Sequence, residues 1–423
     1  VKVASSYAVE IKNINKKAVK ETLEYYRKAL AFLIPVADDN WDYIISFPSM
    51  LYQSRALRDL VHTTKNNRAH YAEFDKMFYK MPCYFLRACT IDAVGSVSSY
   101  RSNLEKNKTS KLGVNRLAVP AFYYDNMYKE SNDGTASIKL RFNGDWKWFK
   151  LNLKKTDLKY IRKYWSHVAK SAPTLEKRHN KCFLRFSFEE NVKLSENKNI
   201  VCAVDLGINN DAVCSILNKD GTILNRKFIN FSSDKDHLYH VLNRIKGFQQ
   251  KHGSHNSGSY WRYVTAINDE LAKRTANSIV EFAYTNKADV IVFEHLEPHF
   301  KGWRSQKLHH WKKNTIQTVV EHKAHRLGMR ISRVCAKYSS QLAFDGSGKV
   351  KRDSENYSLC TFTTGKRYNC DLNASYNIGA RYFIRELSKS VPAKEWSRLL
   401  AKVPEAERRT SCTLNTLKQL VTA

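Results

Sequence analysis

The spacing of hydrophobic positions divides the first half of the chain into a helical stretch and a strand-rich stretch. After Tyr25 the pattern is mainly helical and ends in YFLRACTIDAVGSVSSYRSNLEKN at 84–107. Apolar side chains then alternate along ASIKLRF, and Asn143-Gly144 offers a tight hairpin turn before DWKWFKLNLK returns. A further strand, KCFLRFSFEE, alternates Cys182, Leu184, Phe186 and Phe188. These patterns predict a strand-rich unit with a helical insertion.

The polar stretch LSENKN at 194–199 predicts a domain boundary, and a different pattern follows it. Three strands in succession predict an antiparallel meander at 200–206, 211–217 and 223–230. Helices near 235–250 and 260–286 lead to a short apolar strand, VIVF, that ends in Glu294. The next helix has its apolar positions on one face, with Gly328 as C-cap: Ile316, Val319, Val320, Ala324 and Leu327. The strand MRISRV follows it, and a final helix begins after Asp371. This order predicts one mixed sheet with helices on its faces.

Three acidic residues lie in or at the ends of these predicted elements. Asp205 lies in the first strand of the meander, Glu294 ends a later strand, and Asp371 opens a helix. The first and fourth strands of such a sheet often lie side by side, which would bring Asp205 and Glu294 together. Clustered carboxylates cannot all stay ionised without a cation, and their hard oxygen atoms suit Mg²⁺ or Mn²⁺.

Two such ions, held together, are the known device for in-line phosphodiester hydrolysis. The pattern therefore predicts a metal-dependent nuclease site at Asp205, Glu294 and Asp371. Each acid taken alone favours an ordinary role as a cap, a turn former or an ion pair, so the prediction rests on the three together. Asp371 in particular has the sequence position of a helix N-cap.

The charge balance narrows the choice of partner. The chain of 423 residues holds 71 Lys and Arg against 40 Asp and Glu, a formal net charge of +31, together with 23 Tyr and 8 Trp. Cations beside aromatic rings suit phosphates and stacked bases, so a nucleic-acid partner is predicted. The longest near-continuous apolar run, ALAFLIPVA at 29–37, is too short to span a bilayer, and nine cysteines lack even spacing or a CxxC pair. We therefore expect a cytoplasmic, nucleoid-associated protein with no membrane partner.

One basic segment, FKGWRSQKLHHWKK at 300–313, lies between two predicted elements of the later unit. One interpretation is a strand of nucleic acid held by charge and stacking; the contact residues would be Lys301, Trp303, Arg304, Lys307, Trp311, Lys312 and Lys313. The alternative is a solvated loop with Trp303 or Trp311 anchored in the core.

The segments AVDLGINN, IVFEHLE and CDLNASYNIGAR resemble the three RuvC motifs of the TnpB nucleases and of the compact type V CRISPR effectors. The resemblance is specific over about 200–385 and loose over 1–195. It implies an α/β and α+β multidomain fold, with an RNase H-like RuvC domain (a mixed sheet with helices) and a strand-rich wedge domain carrying a helical recognition insertion. Guide RNA and target DNA are the implied partners, and Asp205, Glu294 and Asp371 the implied metal-binding catalytic acids.

On this basis the predicted domains are a wedge at 1–195 with a recognition insertion at about 17–110, and a RuvC domain at 196–387. The latter has a zinc-ribbon-like insertion at about 337–369, and a helical tail covers 388–423. In the family that insertion carries two Cys pairs. Here Leu342, Ala343 and Asp345 stand where cysteines would be expected, and Cys360 with Cys370 cannot supply four ligands. We therefore expect no zinc, and an insertion held by Phe344, Tyr357 and Phe362.

The predicted function is an RNA-guided DNA endonuclease that cuts with a single RuvC site, using two Mg²⁺ ions or Mn²⁺. Two alternatives stay open. One is a non-guided nuclease on the same fold, such as a resolvase or a transposon-encoded enzyme. The other is an RNA-guided binder that does not cut. A homodimer is plausible for so small an effector.

Overall fold

The computed structural model describes residues 1–106, 109–131, 134–178, 180–207, 209–253, 257–295, 312–403 and 406–422. They form two units, Lys2–Glu190 and Asn191–Ala423, with Val1 belonging to the second. The division falls just before the polar stretch at 194–199. The division into wedge, recognition, RuvC and tail regions stays a prediction. The helices of the described residues include none long and apolar enough to cross a membrane.

The first unit contains a group of helices, as the pattern after Tyr25 predicts. They are α1 (Lys16–Asp39), α2 (Trp41–Ile45), α3 (Met50–Val61), α4 (Glu73–Met77) and α5 (Cys83–Lys106). Asn15 is the N-cap of helix α1, and its side chain accepts hydrogen bonds from the Lys17 and Ala18 amides, both at 3.0 Å. One apolar core joins these helices to the strands of the same unit.

Two small sheets complete the first unit. The first has the order β1 (Lys2–Ile11), β6 (Lys181–Asn191), β5 (Thr174–Arg178); the second runs β2 (Tyr128–Glu130), β3 (Thr135–Phe142), β4 (Asp145–Asn152). Helix α6 (Lys155–Trp165) follows β4. The predicted hairpin is confirmed, since β3 pairs antiparallel with β4 and both turn residues have positive φ, +52° at Asn143 and +81° at Gly144. The alternating side chains of β6 are all buried, again as predicted.

The second unit is built on one mixed five-stranded sheet. Its strands are β7 (Ile200–Asp205), β8 (Ala212–Asn218), β9 (Ile223–Ile229), β10 (Val290–His295) and β11 (Arg330–Cys335), in the order β11-β10-β7-β8-β9. Strand β8 runs antiparallel to both β7 and β9, whereas β10 runs parallel to both β7 and β11. This is the strand order and direction of an RNase H-like sheet, so the predicted meander and the side-by-side first and fourth strands are confirmed.

Helices cover both faces of this sheet: α7 (Ser232–His252), α8 (Gly258–Thr285), α9 (Lys313–Arg326), α10 (Cys370–Ser390), α11 (Ala393–Lys402) and α12 (Ser411–Thr422). Along β7, Cys202 and Val204 belong to the core shared with α8 and α9. Val201 and Ala203 belong to the opposite core, shared with α10, α11 and α12. The sheet is therefore the middle layer of three, and the tail 388–423 forms part of one outer layer.

Helix α10 approaches the sheet closely at Gly379. A Cβ atom added there would lie 2.6 Å from Leu217 Cδ1 and 3.3 Å from Ala203 Cβ, so a larger residue would require the Leu217 side chain or the helix to move. This contact fixes the height of α10 above β7 and β8, and with it the position of the acid in its first turn.

Between β11 and α10 lies a small sheet of β12 (Lys351–Arg352), β13 (Leu359–Thr361) and β14 (Arg367–Asn369). Its core consists of Ala343, Cys360, Phe362 and Cys370, with Phe344, Val350 and Tyr368 packed against them. The predicted role of Tyr357 is wrong, because this side chain is 63% exposed and Tyr368 packs there instead. The apolar register of α9 is also wrong at its last position, since Leu327 follows the helix and is 45% exposed.

Candidate active site at one edge of the mixed sheet

Two of the predicted acids come together through the pairing of parallel strands. Val204 of β7 lies opposite Phe293 of β10, and each is followed by its acid, Asp205 and Glu294. Because parallel strands lie about 5 Å apart and end on the same side of the sheet, these carboxylates are neighbours at one edge.

The third acid reaches this edge from helix α10. The helix begins at Cys370 and is capped by Asn369, whose side chain accepts from the Leu372 amide at 2.9 Å. The N-cap position suggested for Asp371 is therefore wrong, and its side chain is not occupied in capping. Instead, Asp371 Oδ2 accepts a 2.8 Å hydrogen bond from Asn210 Nδ2 and lies 3.9 Å from the Cβ position built at Gly207. Both contacts are with the segment that follows Asp205.

The pKa of Asp205 depends on the other two acids. Burial raises the pKa of the Asp205 carboxyl well above its usual value, and the charges of Glu294 and Asp371 raise it further. Arg352 opposes this effect. Burial also raises the pKa of Glu294, while the hydrogen bond from Ser339 and the charge of Arg381 lower it. The positive charge near Asp205 is therefore too small to offset the effects of burial and of the two neighbouring acids on its pKa.

The loop after β11 is tied to Glu294 and to α10. The Ser339 hydroxyl donates to Glu294 Oε1, and Ser339 itself is 3% exposed. Asn377 Nδ2 donates to the carbonyls of Ser339 and Leu342 at 3.0 and 2.9 Å, and Asn373 Nδ2 donates to Leu342 at 2.8 Å. Two amides one helical turn apart therefore hold the loop that positions the Ser339 hydroxyl.

The donor chemistry of this edge fits a hard divalent cation, because Mg²⁺ and Mn²⁺ prefer carboxylate oxygens as ligands. Such a cation would also offset the repulsion between the ionised Asp205 carboxylate and the neighbouring acids. The arrangement of the acidic side chains fits a single metal ion less well. Within the described ranges, no group of three His, Cys, Asp or Glu side chains is arranged so that it could hold one metal ion. The structure therefore brings the three acids to one edge without closing them into a ready-made ligand set.

The predicted nucleic-acid contacts are mostly beyond what the structure describes. Lys301, Trp303, Arg304, Lys307 and Trp311 lie outside the described residues. Lys312 forms an ion pair with Asp269 of α8, and Lys313 is the first residue of α9. The role of this segment stays a prediction.

Sequence reasoning missed several residues that shape the site. Neither Asn210 nor Ser339 has a sequence signal of its own that predicts a contact with one of the acids. Asn373 and Asn377 could have been noticed, because two amides four residues apart on a buried helix require partners. Arg381, 7% exposed and close enough to act on Glu294, shows the same kind of signal.

Comparisons with known proteins agree with this fold. Residues 5–142 match the model of the Aq_aa04 family, which is about a third of the chain. None of the curated proteins matches the chain.

Among solved structures, the chain is similar to Cas12f1 in its complex with sgRNA and target DNA. The TM-score is 0.55 at 14% identity, over 86% of this chain and 82% of that one. It is also similar to the mini-RNA-guided endonuclease CRISPR-Cas_phi3, with a TM-score of 0.56 at 10% identity, over 90% of this chain and 92% of that one. At such identities the likeness concerns the fold, and it confirms the predicted mixed α/β multidomain class.

Proposed function

We propose that the protein is an RNA-guided DNA endonuclease that cuts with a single RuvC-type site. The observation that carries the proposal is the meeting of Asp205, Glu294 and Asp371 at one edge of an RNase H-like sheet, where the two neighbours raise the pKa of Asp205. Clustered carboxylates repel one another and destabilise a fold, and such clusters are typical of functional sites. A cation-assisted reaction at this edge explains why these three acids lie together.

In this proposal the three carboxylates hold the metal. When bound, Mg²⁺ or Mn²⁺ would supply an activated water and stabilise the leaving oxygen of the phosphodiester. The chain positions the acids around it. Asn210 orients the Asp371 carboxylate, and Ser339 orients that of Glu294. These two neutral donors fix the oxygens without cancelling the negative charge that a cation requires.

The nucleic-acid partners follow from charge and from the likeness in fold. A net charge of +31 favours polyanions, and the two similar structures are named for sgRNA with target DNA and for an RNA-guided endonuclease. In proteins of that kind, base pairing with the guide reads the sequence, and the protein reads backbone shape and a short flanking motif. A short flanking motif and a bound noncoding RNA are therefore part of the proposal.

The test is to purify the full chain with its RNA, sequence that RNA, and incubate the complex with Mg²⁺ and a library of plasmids that carry the matching target beside randomised flanks. We expect cleavage of one flank class by the wild type and none by Asp205→Ala. The matched control is Asp220→Ala, an exposed acid in the turn between β8 and β9, which should cut normally. Cleavage without RNA would favour a non-guided nuclease, and full activity of Asp205→Ala would refute the site.

A second candidate, an RNA-guided binder that does not cut, is favoured by one observation: the acids of the described residues do not form a ready three-ligand group. It predicts sequence-specific DNA binding by the complex and intact DNA at every Mg²⁺ and Mn²⁺ concentration. The same plasmid library decides between the two, because a binder retards the matching target without linearising it.

We further propose that the small sheet before α10 holds its shape without zinc, because Cys360 and Cys370 lie in an apolar cluster with Phe362. Burial and the neighbouring Cys370 raise the pKa of Cys360 to about 12, which disfavours the thiolate that zinc needs. Metal analysis of the purified chain should find less than one zinc per molecule.

We also propose that the complex acts in the cytoplasm and that it forms a homodimer. Mass photometry of the complex tests the homodimer.

A further inference from the structure

A basic cavity opens beside the candidate active site, at the surface that the C-terminal tail helps to form. Its volume is about 520 Å³. It lies between the loop after β11, helix α10 and the short 3₁₀ helix Ala406–Arg408. The cations that line it come from all three: Lys337, Lys349, Arg381, Arg408 and Arg409. Among the lining residues that the structure describes, Glu407 is the one acid, so positive charge is in clear excess.

The deepest of these cations has an unused donor. Arg381 is 7% exposed, and its Nη1 donates to the Cys335 carbonyl at 2.5 Å. Its Nε is buried and has no hydrogen-bond partner in the structure. Burial lowers the pKa of Arg381 and so does the nearby charge of Arg409, although Glu294 opposes them. A buried donor without a partner destabilises the fold, so an acceptor that reached Arg381 Nε would bind favourably.

The backbone around the cavity is held in an uncommon conformation. Tyr338 and Arg409 both line it, and both have positive φ, +65° and +48°. Non-glycine residues seldom adopt this left-handed region, and where they do the strain often accompanies a functional role. Here the strain places one aromatic ring and one guanidinium at the cavity: Tyr338 is 50% exposed, and Lys337 Nζ lies 5.2 Å from the centre of its ring.

Two lining residues link the cavity to Glu294. Tyr338 precedes Ser339, whose hydroxyl donates to Glu294, and the charge of Arg381 lowers the pKa of Glu294. An anion bound in the cavity would therefore contact a residue, Arg381, that also acts on Glu294.

We propose that this cavity binds a backbone phosphate of the DNA strand that is cut, and so positions that strand at the acidic edge. Arginine forks match the planar pairs of phosphate oxygens, Arg381 Nε would gain its missing acceptor, and the exposed Tyr338 ring offers a surface on which an adjoining base can stack. A bound anion would reduce the repulsion among the clustered cations of the cavity, as a bound cation would reduce the repulsion among the clustered carboxylates. The choice of DNA as the source of the phosphate rests on the proposed function.

The test measures binding in the cleavage-deficient Asp205→Asn chain, with a fluorescein-labelled single-stranded DNA of 20 nucleotides as the probe. Arg409→Gln and Lys337→Gln remove cations from two different elements of the cavity. The matched control is Arg398→Gln, an exposed arginine of α11 in the same tail but outside the cavity. Fluorescence anisotropy gives Kd over a series of NaCl concentrations, and circular dichroism shows whether each variant is folded.

We expect Arg409→Gln to raise Kd about tenfold at low salt, because the variant loses a charged hydrogen bond to the phosphate. The slope of log Kd against log salt should fall by about 0.7, the value for one phosphate contact to a single strand. Lys337→Gln should change both in the same direction, and Arg398→Gln should change Kd less than about twofold, as an ordinary surface charge does.

Equal losses for all three variants would mean diffuse attraction and would overturn the inference, as would an unchanged slope in the two cavity variants. If Arg409→Gln does not fold, Lys337→Gln decides by itself. Cleavage by the wild type is measured separately. Cleavage with an unchanged slope in the cavity variants refutes the phosphate site alone, whereas a changed slope without cleavage keeps the site and refutes the nuclease proposal.

Discussion

Replacing Asp205 by asparagine should make the protein more stable when no divalent cation is present. Asp205 lies beside Glu294, which is on a neighbouring parallel strand. Burial raises the pKa of both carboxyl groups and so favours their neutral forms. Two unit charges about 5 Å apart at an effective dielectric constant of about 20 repel by about 3 kcal/mol. Protonation relieves part of this repulsion, so we expect a gain of about 0.5–2 kcal/mol in the free energy of unfolding, in the range that relief of a strained functional site commonly gives.

The gain should depend on pH in a defined direction. The pKa of Asp205 is raised in the folded state above its ordinary value of about 3.9. Folding therefore favours the protonated form, and this favourable contribution is complete below about pH 4 and lost as pH rises through the raised folded pKa. The advantage of Asp205→Asn should be small in acid and largest at neutral and alkaline pH.

The assay is urea unfolding of the full chain in EDTA at pH 5 and pH 8, followed by near-ultraviolet circular dichroism. The matched control is Asp211→Asn, because the Asp211 carboxylate accepts from the Phe231 amide at 2.8 Å and lies 3.4 Å from Lys235 Nζ. An acid with partners should lose about 1–3 kcal/mol on the same substitution. If Asp205→Asn is destabilised at pH 8 in EDTA to the same extent as the control, the acids are ordinary paired groups and the reasoning fails.

Three further predictions test the surroundings of the site. Ser339→Ala should raise the Mg²⁺ concentration for half-maximal cleavage about tenfold, because Glu294 loses a donor worth about 1.5–3 kcal/mol, and Ser339→Thr should restore it; an unchanged Mg²⁺ requirement would contradict this role. Gly379→Ala should destabilise the chain by about 1–3 kcal/mol in urea unfolding by pushing α10 from the sheet, and a neutral result would show that the helix has room. For Glu386, burial would raise the pKa but its lysine partners lower it to about 2, so its contribution is present above about pH 4 and lost as pH falls through 2. Glu386→Gln should therefore lower stability by about 1 kcal/mol at pH 7, after allowance for solvent screening, and little at pH 2; a pH-independent effect would refute the assignment.

Much of the second unit could be predicted because its signals are local. Short apolar strands, the turn before β9 and the C-cap at Gly328 specify elements whose order leaves few topologies, and Gly328 does adopt φ of +77°. The position of Glu294 beside Asp205 then follows from strand pairing. The prediction failed where two signals compete at neighbouring positions, as at the start of α10, where Asn369 rather than Asp371 is the cap.

The remaining features depend on contacts between distant parts of the chain. Strand β1 pairs with β6, about 180 residues later, and the spacing of its own side chains does not reveal that partner. Ser339 reaches Glu294 only because the loop after β11 folds back onto α10, and the basic cavity exists only because the tail returns to the same place. No periodicity of a single segment carries such information.

The most direct test of the proposed metal site is anomalous diffraction from crystals of the full chain soaked in Mn²⁺, with Asp205→Asn crystals as the comparison. We expect anomalous density between the carboxylates of Asp205, Glu294 and Asp371 in the wild type and its loss or marked weakening in the variant. Anomalous density at other sites with none between these carboxylates would contradict the proposed metal site.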